Sequence, residues 1–165
     1  MSETTALTRI KKHQTIPFIN IGSKEAPSWA RIGKSTVFEL SLNPNVETSD
    51  FIEDEMPTDD ITYYKPTLPQ ELQTNKGDKA FDYIYDKFYS LPTGAEVFVP
   101  TLIVFGGNAG TTDDPAKAWL CDATLVLGSF NAVEEKITFD LNLGGTIQKG
   151  TVVIGEGAPV FTEVK

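Results

Sequence analysis

Two stretches of apolar/polar alternation constrain this chain more than any other feature. In the first, Trp119 to Leu127, residues Trp119, Cys121, Ala123, Leu125 and Leu127 share one face. In the second, Ile137 to Leu143, residues Ile137, Phe139, Leu141 and Leu143 share one face and Thr138, Asp140 and Asn142 the other. Successive side chains of a strand point to opposite sides of its sheet, so a period of two marks a half-buried antiparallel strand. The residues between the runs, Ser129 to Val133, read as the turn of a hairpin. The expected fold is mainly β and antiparallel.

The remaining elements follow from local signals. Ile16 to Ile21 reads as a short strand inside an N-terminal arm, residues 1–35, punctuated by Pro17, Gly22, Pro27 and Gly33. Thr36 to Leu42 alternates and reads as the first firm strand of a domain over 36–155. Residues 43–60 carry seven acids and no Lys or Arg, and read as a long loop. Loops of that length are usually functional or disordered, and Phe51, Ile52 and Met56 inside this one suggest that it docks on something. Ile61 to Lys65 and Leu68 to Gln73 read as strands interrupted by Pro66 and Pro69. A helix is expected over 78–91, with Asp78 as N-cap, an apolar stripe of Phe81, Ile84, Tyr85 and Phe88, and Pro92 and Gly94 as stops. Glu96 to Phe105 is apolar on both faces and reads as a central strand, with an edge or bulge at Pro100. Gly106 to Pro115 reads as a loop, Gly144-Gly145 as the end of the second alternating strand, and Gly150 to Ile154 as a last strand. The tail, 156–165, reads as loose or docked on a partner.

One domain is the natural reading of 165 residues, which is long enough to bury a core without metals or disulfides. The single cysteine, Cys121, cannot form an internal disulfide. The first residues, MSETTALTRIKKH, have no apolar core and do not read as a secretory signal. No apolar run is long enough to cross a bilayer, so the expectation is synthesis in a cytoplasm with no membrane insertion. The net charge of -9 is unevenly spread: the first 40 residues carry six Lys/Arg against three acids, whereas 41–75 carry one Lys against eight. A negative surface repels phosphate and argues against tight nucleic-acid binding.

Catalytic chemistry is scarce. His13, the one histidine, sits in a basic arm away from any partner, and Cys121 lies on the apolar face of a strand. No Ser-His-Asp set can be assembled. Glu53, Asp54 and Glu55 are consecutive and lack the alternating spacing of a calcium loop. FGGNAG, residues 105–110, has neither the lysine nor the following helix of a phosphate-binding loop. The expectation is no enzyme, no cofactor and no metal. Trp29, between turn formers, either packs on its own domain or anchors an interface.

The order of parts resembles the tail tube (major tail) proteins of long-tailed bacteriophages. PSWARIG (27–33), TVFELSLNPNVETSDFI (36–52), YYKPTLPQEL (63–72), DKAFDYIYDKFYSLPTGAE (78–96), FVPTLIVFGG (98–107) and AWLCDATLVLGSFNAVEEKITFDLNLGGTIQKGTVVI (118–154) carry the resemblance. No single motif is diagnostic; the order is. The resemblance implies a β-sandwich with one flanking helix, and homo-hexameric rings that stack into a tube for the genome. It also implies tape measure, terminator and distal tail proteins as partners, and a virion location. On that reading Asp122, Thr124, Thr138, Asp140 and Asn142 face the lumen, where acid lets DNA pass without sticking. Trp29, Glu47, Asp50, Phe51, Ile52, Glu53, Asp54, Glu55 and Met56, with the basic Arg9, Lys11 and Lys12, are then contacts between subunits or rings. The competing readings are a tail terminator or neck protein, which caps rather than polymerises, and a small ligand-binding β-sandwich.

Overall fold

The computed structural model describes residues 15–23, 25–105, 116–154 and 159–164. Nine strands and one α-helix are formed among them: β1 (Ile16–Asn20), β2 (Trp29–Arg31), β3 (Pro44–Ser49), β4 (Thr58–Tyr64), β5 (Thr67–Gln73), α1 (Lys79–Ser90), β6 (Phe98–Phe105), β7 (Ala116–Asn131), β8 (Lys136–Val153) and β9 (Val160–Glu163). All strand pairs are antiparallel. Seven strands form one sheet in the order β2-β1-β6-β7-β8-β5, with β9 also on β8. Strands β3 and β4 form a separate two-stranded ribbon.

The alternating runs are the middle of this sheet. Strand β7 places Cys121, Ala123 and Leu125 on the same side as Ile137, Phe139, Leu141 and Leu143 of β8, and all seven are buried. Ile19 and Ala30 from one end of the sheet join the same cluster as Leu68 and Leu72 from the other. The sheet therefore curls until its two ends share a core, which is how one sheet yields the expected sandwich-like layering. Helix α1 closes the cluster with Ala80, Phe81 and Ile84. Asp78 caps it by accepting from the Ala80 N–H at 3.2 Å.

A second, smaller cluster lies on the opposite face, built from Phe18, Leu102, Val104, Ala116, Ala118 and Val152. Alternation puts Leu102 and Val104 of β6 across from Leu120 and Ala118 of β7, one residue out of phase with the main core. Half of this face is thus apolar, and the other half, around Asp122 and Asp140, stays polar.

Several sequence expectations need correction. Ile16–Asn20 is no arm: β1 sits between β2 and β6, and four of its five residues are buried. Thr36 to Leu42 is no strand. It runs along the outer edge of β5 but bridges only at Ser35–Leu72 and Ser41–Thr67, with one residue more than β5 between them. Thr67 and Glu71 turn their backbone groups toward this segment. Pro69 falls in the same phase and has no N–H to give, so the ladder cannot close. The third correction concerns 43–60, which is largely the β3–β4 hairpin rather than a loop. It carries polar residues on both faces, so no hydrophobic period betrays it. Finally, β8 continues through Gly144-Gly145, with a register shift against β7 there and Gly145 at φ 65°, and the tail supplies β9. The expected strand at Glu96 begins only at Phe98, after a short 3-10 turn over Gly94–Val97. Pro100 does sit at a local edge, because the pairing of β1 with β6 stops at Thr101.

Candidate assembly surfaces

The hairpin is the most unusual surface of the molecule. No residue of β3 or β4 is buried. Its register is held by the backbone ladder and by polar cross-strand contacts: Thr48 Oγ1 donates to Asp59 Oδ1 at 2.6 Å, and Asn45 Nδ2 to Thr62 Oγ1 at 2.7 Å. Its root is fixed by Asn43, at φ 45°, whose Nδ2 donates to the Lys65 carbonyl oxygen at 3.1 Å and to Thr67 Oγ1 at 3.2 Å. Pro66 accepts from Leu143 N at 2.9 Å, which ties the root to β8. Beyond that point the ribbon leaves the sheet.

Two features of the hairpin are costly in water. Glu47 stands directly opposite Asp60, a like-charge cross-strand pair that weakens a ladder. Val46, Ile61, Tyr63 and Tyr64 are each at least half exposed, Met56 is 74% exposed and Ile52 is fully so. A lone two-stranded ribbon is marginal without a packed face. Glu47, Asp50, Phe51, Ile52, Glu53, Asp54, Glu55 and Met56, all expected as contacts, are brought together on this projecting element and are all exposed. The expectation missed Val46, Ile61, Tyr63 and Tyr64, because Val46 lies in a stretch that reads as loop and 61–65 reads as a separate strand.

The polar half of the second face gathers the residues expected at a lumen. Thr124 pairs with Asn142 and Val126 with Asp140 across β7 and β8, and Thr138 receives the Ser129 N–H on its Oγ1 at 3.0 Å. Asp122 sits opposite Gly144 on the same side. Asp122 and Asp140 are exposed, and Thr124, Thr138 and Asn142 are half-buried. At one margin Lys136 lies between Glu134 at 2.9 Å and Glu71 at 3.4 Å. Its hydrogen bond to Glu134, with both carboxylate charges, raises the Lys136 pKa, so it stays protonated. Phe98 and Val126, exposed on the same face, were not expected there.

Trp29 is half-buried and packs against the second cluster of its own chain. Arg9, Lys11, Lys12 and His13 lie outside the described residues. Cys121 is buried, and burial first, then the charge of Asp122, pushes its thiol up to about 12. Among the described residues no group of three or more His, Cys, Asp or Glu is placed to hold a metal ion. No described helix is long and apolar enough to cross a membrane.

No family model matches this sequence, and no curated protein matches it. Among solved structures, the fold is similar to a chain of the anti-feeding prophage (AFP) baseplate, determined by cryo-EM with 6-fold symmetrisation. The TM-score is 0.45 and the identity 11%, over 90% of this chain and 97% of that chain.

Proposed function

We propose that this chain is a self-assembling structural protein of a phage-tail-type particle. In this reading copies close into rings, six to a ring by the sequence resemblance, and rings stack into a tube that conducts DNA. It has no catalytic role and needs no cofactor. Its partners are further copies, then tape measure, terminator and distal tail proteins, and its location is the virion tail.

The observation that carries this is the hairpin. A ribbon with no buried residue, seven acids in and around it, and a fully exposed Ile52 is a poor element for a solitary protein. It becomes a sound one when a neighbour covers its apolar side chains and faces its charge. The polar face supports the conduit: carboxylates facing a lumen repel phosphate, whereas lysines there would bind it in a salt-dependent way. Helix α1 lies on the other side of the sheet, which leaves the polar face free to turn inward.

Electron microscopy of the purified chain at rising concentration tests the proposal. Stacked discs or tubes are expected. A single closed ring that never stacks would identify a terminator instead, and a chain that stays monomeric at millimolar concentration would overturn self-assembly altogether.

A further inference from the structure

The segment that fails to pair with β5 leaves a groove of about 640 Å³ between itself, β1 and β5. Its walls include Val37 and Phe38 on the arching segment and Arg31 at the end of β2. Gln70 contributes from β5 and is 2% exposed. Its Nε2 donates to the Pro69 carbonyl oxygen at 2.9 Å, but its Oε1 is buried with no hydrogen-bond donor. Neighbouring Leu68 and Leu72 point the same way into the core, so an amide at this position is out of place unless something donates to it. Arg31 is exposed and makes no ion pair among the described residues. The groove therefore asks for three things together: an N–H donor, a carboxylate and an apolar side chain to cover Phe38, which is 40% exposed.

We propose that this groove receives the β3–β4 hairpin tip of a second copy of the chain. The tip offers all three. Asp50 and Glu53 supply carboxylates on either side of Phe51 and Ile52. The tip turn is closed by Asp54 N donating to the Phe51 carbonyl oxygen at 3.1 Å, which leaves the N–H groups of Ile52 and Glu53 without acceptors among the described residues. The occupant is another molecule's tip, because this chain's own Ile52 stands fully exposed to solvent. Charge favours the pairing: 43–60 has seven acids and no cation, and Arg31 has no ion pair among the described residues. The inference rests on the self-assembly proposed above and names the surface that receives the hairpin.

The test measures, by sedimentation and electron microscopy, the concentration at which half of the full-length chain is assembled. Arg31→Glu is expected to raise it at least tenfold. Combining Arg31→Glu with Asp50→Lys and Glu53→Lys should bring it back toward the wild-type value, since the charges are then exchanged. Gln70→Leu gives a readout that a merely structural role would not: it removes a buried unpaired acceptor, so the monomer should melt higher while assembly weakens about tenfold. If the wild type assembles and both Arg31→Glu and Gln70→Leu assemble equally well, the groove is not the receiving surface although self-assembly stands. If the wild type itself never assembles, the self-assembly proposal falls and this one with it.

Discussion

Single residues fix where this backbone can turn. Asn20, at the end of β1, is buried, and its Oδ1 accepts from Gly22 N and from Ser28 N, both at 2.9 Å, while its Nδ2 donates to the Ser23 carbonyl oxygen at 3.1 Å. One side chain thus pins the loop that brings β2 back onto β1. Asn20→Ala strips two backbone donors of their acceptor, and a loss of about 2–3 kcal/mol is expected in urea unfolding. Asn20→Asp keeps the acceptor but loses the donor and should cost less. Gly150 is the second such position. A Cβ there would collide with the Thr162 carbonyl oxygen and the Phe161 ring, both on β9. Gly150→Ala should therefore free β9 and take Phe161 off the second cluster, a loss of about 1–3 kcal/mol. Faster amide exchange across 160–163, with β5 unchanged, is the signature. Neither role was legible in the sequence, where Asn20 falls within a short strand of the arm and Gly150 opens the last strand. Both depend on what approaches from far along the chain.

At the scale of elements, the hairpin and the sheet should be separable. Replacing residues 47–60 by a two-residue Asn-Gly turn between Val46 and Ile61, which already face each other, removes no buried side chain. The stability of the remaining fold should change by less than ~1 kcal/mol, while assembly is abolished. A variant that unfolds would mean the hairpin supports the sheet; one that assembles normally would remove it from the interface. The elements the sequence revealed best were those with a one-sided environment. Strands β7 and β8 and helix α1 each bury one face, so their periods of two and 3.6 survive in the residue order. The hairpin buries neither face, and its strands hide behind polar residues on both sides. The segment 36–42 misleads in the opposite sense, because its alternation is real but its neighbour carries Pro69 where a donor is needed. Pairing is a property of two segments, and one segment's pattern cannot report it.

The whole molecule has a direction: α1 and the main core on one side of the sheet, Asp122, Thr124, Thr138, Asp140 and Asn142 on the other. All five could be assigned to one face from alternation alone, but whether that face lines a channel is decided by how copies meet, which no single chain encodes visibly. Thiol labelling can decide it cleanly because the natural background is low. Cys121 is buried with its pKa pushed up to about 12, so at neutral pH its reactive thiolate is on the order of a thousandfold scarcer than that of an exposed cysteine. The sign follows from the direction of the shift: the raised pKa keeps the thiol protonated until strongly alkaline pH, and labelling below pH 8 leaves it untouched. A cysteine placed at Asp140 should react with small and bulky maleimides alike in the monomer. Once tubes form, it should react with the small reagent only, since the bulky one cannot enter the lumen. A cysteine at Asp86, on the exposed side of α1, should react with both reagents in both states. If the Asp140→Cys site stays open to the bulky reagent after assembly while the Asp86→Cys site closes, the tube is built the other way round, with the helix inside and the acidic face toward solvent.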